Sequence, residues 1–303
     1  MNESPKAAFS SQIRRIVVLG SGGFIGTHLC ARLRQVAPDV EIVPRALPTL
    51  DLTNAAHADQ LASLFTPDAA VISLAAIKRQ LGDNLDSFTA NLKISANLAR
   101  VLAQHPVVRF LYLSSAAVYG EETTNTCITE ETPPRATSYY GMAKLASELL
   151  LRKAAEQSGR TCLLCVRPPL IFGPGDQGGY GPTGFIQTAL RGEQIVLWGD
   201  GTEQREFVYV ADALEALCEV LFQDCTGVLN IASGRNHNYL DAVAAVEQCI
   251  PLKQPATQRA RSKGKADHGF ENSRLRELVP GLKFTALADG IRLTVESQRR
   301  SSP

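Results

Sequence analysis

Apolar and polar positions fall into alternating blocks along the first half of the chain. Ile13–Leu19 (IRRIVVL) predicts a strand and the amphipathic stretch Phe24–Val36 a helix. Val40–Arg45 and Ala55–Phe65 repeat that pair. Ala69–Leu74 (AAVISL) predicts a third strand, and Leu85–Gln104 a long helix. Val107–Ser114 (VVRFLYLS), Ser138–Ser158 and Thr161–Arg167 add strand, long helix and strand. Such alternation calls for a parallel sheet covered by helices on both faces. The fold class is α/β, a doubly wound parallel (Rossmann) sheet with a second, smaller mixed α/β lobe. Ligands of such sheets sit at the carboxyl ends of the strands.

After Pro168 the pattern changes. Residues 173–184 (GPGDQGGYGPTG) read as a functional loop, with Tyr180 its one bulky side chain. A helix near Phe185–Arg191, a strand near Gln194–Trp198, a strand or turn at Phe207–Val210, a helix over Asp212–Phe222 and a strand at Val228–Ile231 follow. The basic stretch Lys253–Lys265 reads as a surface loop, and the remainder shows no clear period. A dinucleotide-binding domain over 1–168, completed by about 206–233, is expected. A discontinuous substrate lobe over 169–205 and 234–303 would complete the chain.

Composition narrows the class. Apolar residues make up 45% of the 303 positions, enough to drive a core and exclude wholesale disorder. The net charge of +1 supplies no global field for nucleic-acid or membrane binding. No apolar run approaches the ~20 residues of a membrane helix, and MNESPKAAFSSQIRR lacks the apolar centre of a signal peptide. A cytoplasmic protein is expected. The seven cysteines are scattered. Cys162 and Cys165 have CxxC spacing but lie in an apolar strand, where positions three apart face opposite ways, so they read as core thiols. His28, His57, His105, His237 and His268 show no metal-ligand spacing, and no metal is expected.

The chemistry begins where the first strand ends. Gly20-Ser-Gly-Gly23-Phe24-Ile25-Gly26 leads into a helix. Glycines suit a tight turn that a pyrophosphate must approach, and the helix N-terminus offers unpaired N–H groups to that anion. A dinucleotide is therefore expected. Its NAD form usually needs a carboxylate at the end of the second strand. Here that stretch is Val43-Pro44-Arg45-Ala46, and Arg45 suits a 2′-phosphate. NADP is favoured over NAD, with Asp51 and Leu52 as further adenosine contacts. Downstream, Tyr140 and Lys144 stand at i and i+4 and share a helix face. An ammonium beside a phenol lowers its pKa, so Tyr140 can exchange a proton with an alcohol or carbonyl oxygen. Ser115, at the end of the fourth strand, can hydrogen-bond the same oxygen.

Together the glycine turn, SSAAVYG and YGMAK closely resemble the extended short-chain dehydrogenase/reductase family of nucleotide-sugar epimerases, dehydratases and ketoreductases. The resemblance implies Ser115, Tyr140 and Lys144 as the catalytic triad. Lys144 would also anchor the nicotinamide ribose. Leu74, Ala75 and Ala76, in a stretch usually written HxAA with Ser73 here in place of His, would border the cofactor. Lys78 would lie near cofactor and substrate, and Asn91 would be structural. Arg167-Pro168 and Phe172-Gly-Pro-Gly175 resemble RPxNxYGPG, which adds Arg167 to the cofactor contacts; the usual Asn is Leu170. Trp198–Asp212 resembles the segment whose arginine, here Arg205, binds the substrate diphosphate, and Arg261 is a candidate second arginine. Dehydratases of the family carry Asp-Glu directly after the catalytic Ser or Thr. Here Ala116, a substrate-facing position, and Ala117 replace them, which disfavours water elimination and the related decarboxylation. The implied substrate is a nucleotide-diphosphate sugar, with hydride transfer at C4. A 4-ketoreductase is favoured over an epimerase that holds NAD. A non-catalytic dinucleotide-binding protein is the alternative of another class. The family also implies a homodimer in which the two long helices form a four-helix bundle.

Overall fold

The computed structural model describes residues 9–179, 181–261 and 264–301. The start of the chain, Tyr180 of the glycine-rich loop, and Ser262 and Lys263 of the basic stretch lie outside the described residues. In chain order the elements are β1 (Arg15–Leu19), α1 (Phe24–Val36), β2 (Glu41–Arg45), α2 (Ala55–Asp59), β3 (Ala69–Ser73), α3 (Leu85–Gln104), β4 (Arg109–Leu113), β5 (Asn125–Ile128), α4 (Tyr139–Ser158), β6 (Cys162–Arg167) and β7 (Leu170–Phe172). There follow α5 (Gly181–Leu190), β8 (Val196–Trp198), β9 (Gln204–Arg205), β10 (Phe207–Tyr209), α6 (Val210–Leu221), β11 (Gly227–Asn230), β12 (His237–Asn238), α7 (Tyr239–Cys249), β13 (Thr257–Arg259), β14 (His268–Phe270), α8 (Ser273–Leu278) and α9 (Leu287–Ser301).

The chain divides into two compact units. The first comprises residues 1–120, 133–167 and 214–229, and the second 121–132, 168–213 and 230–303. In the first, six strands form one sheet in the order β11-β6-β4-β3-β1-β2. From β2 to β6 the neighbours pair in parallel, with Leu19 opposite both Arg45 and Ser73. Every residue of β3 and β4 is buried, as a parallel sheet covered on both faces requires. The expected α/β class is the observed one. Val17, Val71, Phe110 and Tyr112 from the sheet pack with Leu98 and Leu102 of α3 and Leu151 of α4. The two long helices meet at small residues, with Ser95 donating to Ser147 at 2.5 Å. Asn84 and Ser87 form a capping box at the start of α3, and Ser138 caps α4.

Four expectations need correction. The helix expected over Ala55–Phe65 stops at Asp59 and tightens into a 3-10 turn over Gln60–Ser63. The glycine-rich loop ends earlier than residue 184, because α5 starts at Gly181 and carries Pro182 in its first turn, where a missing N–H costs nothing. The basic stretch is not a plain surface loop. It contains β13, which pairs with β8, and Arg261 is largely buried. Cys162 is half-buried rather than a core thiol. It lies beside Arg109 and Asp224, whereas Cys165 is buried. All seven cysteines are free.

The second unit is built from two-stranded pieces: β7 with β10, β9 with β12, β8 with β13 and β5 with β14. Its core contains Phe172, Ile186, Leu197, Phe207, Val246 and Ile291. Among the described residues no helix is long and apolar enough to cross a membrane.

Candidate active site

The glycine turn of the first unit has room for nothing but glycine at two places. Gly20 leaves β1 at φ +84°, and a Cβ there would sit 2.8 Å from the Ala75 nitrogen. A Cβ on Gly26 would sit 2.3 Å from the Gly20 carbonyl oxygen and 2.7 Å from Ser21 Cα. The turn is pinned by Gly20 N–H donating to the Arg45 carbonyl at 2.8 Å and Gly23 N–H to Gly20 at 3.1 Å. Gly23 starts α1 without a side-chain cap. The first-turn N–H groups of Phe24, Ile25 and Gly26 therefore have no intrahelical acceptors, which is the arrangement an anion completes. The closed packing behind the turn and the uncapped helix in front of it fit a dinucleotide pyrophosphate.

Residues expected around that cofactor gather on the same strand ends. Leu74 N–H donates to Leu19 at 2.9 Å, and Ala75 backs Gly20. Asn91 clamps Ile77 from both sides: its Oδ1 accepts from Ile77 N–H at 2.8 Å and its Nδ2 donates to the Ile77 carbonyl at 3.1 Å. That pair of hydrogen bonds to the backbone fixes the Leu74–Lys78 stretch, and Lys78 Nζ lies 5.8 Å from the Phe24 ring centre. Ser73, at the end of β3, is fully buried and its hydroxyl has no hydrogen-bond partner. Arg45 ends β2 and donates to the Pro44 carbonyl at 2.9 Å. The Asp51 carboxylate accepts from Thr53 Oγ1 at 2.7 Å and Thr53 N–H at 2.9 Å, bonds that hold its pKa below the usual carboxylate range. Leu52 beside it is buried.

The proposed triad lies in this same unit. Ser115 follows β4, is half-buried, and accepts from Ala117 N–H at 3.1 Å. The first turn of α4 packs closely on that segment, since a Cβ on Gly141 would fall 2.6 Å from the Ala117 carbonyl oxygen. Tyr140 N–H donates to Asp83 at 2.9 Å, which places a carboxylate at the positive end of α4. Lys144, one turn on, is 4% exposed and donates from Nζ to the Leu113 carbonyl at 2.7 Å. Its ammonium lies 5.7 Å from the Tyr140 ring centre and 4.9 Å from that of Tyr112. Burial lowers the Lys144 pKa to about 8, against the opposing pull of Glu148. Burial also drives the Tyr112 phenol far up, so of the two phenols flanking the lysine the half-buried Tyr140 is the one suited to proton exchange.

Behind the lysine is a buried ion pair that the sequence reading missed. Glu148 is 1% exposed and accepts from Arg167 Nε at 2.9 Å and Nη2 at 2.6 Å, and from the Ser114 hydroxyl. The Arg167 guanidinium also stacks 4.9 Å from the Tyr119 ring centre. Burial opposes its charge, but the bonds to Glu148 outweigh that and raise its pKa. Arg167, expected as a cofactor contact, holds Glu148 through its Nε–Nη2 edge. Tyr140, Lys144 and Glu148 recur every four residues, and that period was a readable signal.

In the second unit, Arg205 and Arg261 meet on one acid. Arg205 Nη2 and Arg261 Nη1 each donate to Glu203. Asp212 anchors Thr285 through the Thr285 N–H at 2.7 Å and hydroxyl at 2.9 Å. Among the described residues no group of His, Cys, Asp or Glu could hold a metal.

The profile of the NAD dependent epimerase/dehydratase family matches residues 16–232. The chain belongs to this family. It is an enzyme of the extended short-chain dehydrogenase/reductase superfamily. This family member is 24% identical to the uncharacterized UDP-glucose epimerase YtcB of Bacillus subtilis, over 91% of this chain and 95% of that protein. It is 26% identical to a dTDP-4-dehydro-6-deoxy-D-allose reductase of Streptomyces, over 77% and 80%. The UDP-glucose 4-epimerase of Thermus thermophilus, solved in complex with NAD, superposes with a TM-score of 0.81 at 25% identity, covering 94% of this chain and 99% of that one.

Proposed function

We propose that this family member moves a hydride between a nicotinamide dinucleotide and C4 of a nucleotide-activated hexose, and that it works as a 4-ketoreductase. One observation carries the reading: Tyr140 and the buried ammonium of Lys144 share a face of α4 in the unit that also holds the glycine turn. When bound, the dinucleotide supplies or accepts the hydride. Gly20, Gly23, Phe24, Ile25 and Gly26 hold its pyrophosphate. Arg45, Asp51 and Leu52 meet the adenosine, and Leu74, Ala75, Ala76 and Lys78 border it. Lys144 takes the ribose. NADP is preferred, because β2 ends in Arg45 with no carboxylate. Tyr140 gives its proton to the sugar oxygen, and Ser115 orients that oxygen. Lys144 favours the phenolate that results. Arg205 and Arg261 carry the charge that the substrate diphosphate requires. Ala116 and Ala117 cannot move a proton, so water elimination has no acid there.

A second reading, a 4-epimerase with tightly held NAD, draws support from the NAD complex of the Thermus relative. The retained triad weighs against a non-catalytic dinucleotide-binding protein. We further propose a cytoplasmic homodimer. Met142, Leu149 and Leu150 on α4 are 38%, 54% and 39% exposed, an apolar face that a second copy's long helices would cover.

Mass spectrometry of acid-released coenzyme from the purified protein, followed by NADPH consumption with UDP- and dTDP-4-keto-hexoses, tests the assignment. The expected result is exchangeable coenzyme and stoichiometric NADPH oxidation. Retained NAD and turnover without added coenzyme would convert the assignment to epimerase. Tyr140→Phe should lower turnover by roughly 10²-fold or more, and unchanged turnover would remove Tyr140 from the mechanism.

A further inference from the structure

The two candidate diphosphate arginines of the second unit are already bridged. Arg205 Nη2 donates to Oε1 of Glu203 and Arg261 Nη1 to Oε2, the latter at 2.5 Å. The three side chains are 20%, 17% and 13% exposed. Arg205 Nη1 is occupied by the carbonyls of Gln204 and Ala266. Arg261 Nη2 is buried without a hydrogen-bond partner, and the Asp200 carboxylate is 3.7 Å away. Gly199, at φ +67°, admits this placement of Arg261, because a Cβ there would lie 1.9 Å from the Arg261 Nε. The Tyr239 ring also lies in the field of all three charges.

An anion that bridged the two guanidinia would compete with Glu203 for Arg205 Nη2 and Arg261 Nη1. We propose that Glu203 sets the affinity of this cradle, as an internal carboxylate that the diphosphate of a sugar nucleotide must displace from Arg205 and Arg261. The proposal rests on reading those arginines as the diphosphate site. Without a ligand, Glu203 relieves the repulsion of two adjacent guanidinia and keeps them in place. With a ligand, it competes. The arrangement exchanges tightness for a preformed site and ready product release.

Calorimetric titration of the full chain with UDP, dTDP and GDP tests this. Glu203→Gln keeps the shape and removes the charge, and should bind its best diphosphate at least roughly tenfold more tightly, the worth of one charge-assisted hydrogen bond. Glu203→Asp, too short to bridge both arginines, should also bind more tightly than the natural chain and serves if the Gln variant fails to fold. Arg205→Ala should weaken binding tenfold or more. If Arg205→Ala weakens binding while both Glu203 variants bind equally or less tightly, the role of Glu203 is overturned. If Arg205→Ala changes nothing, or no variant binds any of the three diphosphates, the diphosphate site itself is refuted.

Discussion

Replacing Lys144 with Met should make the protein more stable and inactive at once. The Lys144 ammonium is 4% exposed, and burial depresses its pKa from 10.5 to about 8. Glu148, one turn away, pulls in the other direction but is committed to Arg167 and Ser114. The folded pKa lies below the unfolded one, so between pH 8 and 10.5 the unfolded chain binds more protons. The lysine's contribution to stability is therefore fully present above pH 10.5 and is lost as pH falls to about 8. Converted at 1.36 kcal/mol per unit, the deficit is about 3 kcal/mol at pH 7, about 2 at pH 9 and about 1 at pH 10.

Methionine fills the space of the lysine stem without a charge. It leaves the Leu113 carbonyl, now bonded at 2.7 Å, without its donor, which costs about 1 kcal/mol. Lys144→Met should therefore be more stable than the natural protein by about 2 kcal/mol at pH 7, and indistinguishable from it near pH 10. Urea unfolding of both proteins across that pH range, with equal slopes, measures the difference directly. Turnover should fall by roughly 10²-fold or more. A variant less stable at pH 7, or a stability gap that does not change with pH, would refute the reasoning.

Gly26→Ala would push a Cβ to 2.3 Å from the Gly20 oxygen, opening the turn. The coenzyme should no longer raise the melting temperature of that variant, a comparison made by thermal melts with and without NADPH. Arg167→Met strands the Glu148 carboxylate and should destabilise by about 3–5 kcal/mol, whereas Arg167→Met with Glu148→Met should recover most of the loss in urea unfolding.

What could be read from the sequence follows the length and burial of each element. Phe24–Val36 and Leu85–Gln104 were legible to the residue, because each carries an apolar stripe long enough to show a helical period. The sheet strands β1, β3, β4 and β6 were legible as short, mostly apolar runs. The second unit was legible only in part: β8 and β10 fall where strands were expected, whereas β9, β12 and β14 span two or three residues, too short for any period. Helix α7 was a different failure: its capping box, Asn238 with Asp241, was in the sequence and went unread. In the site, Tyr140 and Lys144 stood out through their i, i+4 spacing taken together with the glycine turn and SSAAVYG. Glu148 continued the same spacing but, as an ordinary helix former, carried no chemical signal. The Arg167–Glu148 pair carried no signal in the sequence, because its members stand 19 residues apart. Glu203 stands two residues before Arg205, a separation that puts both on one face of an extended stretch, and that signal went unread.

The turn after β4 limits the chemistry more tightly than the triad does. Ala117 is built into the scaffold: its N–H bonds Ser115, and its carbonyl is the surface on which Gly141 packs. Ala116 is half-buried next to it. Neither carries a proton. Water elimination from a keto-sugar requires one group to remove a carbon-bound proton and another to protonate the departing hydroxyl, in addition to the acid at the reacting oxygen. Ser115 and Tyr140 serve that oxygen on the proposed reading, and Lys144 is buried with its ammonium on the Leu113 carbonyl. On the proposed reading, a turn with two alanines leaves the site equipped to move one proton at one oxygen alongside a hydride, which suits a reductase or an epimerase better than a dehydratase.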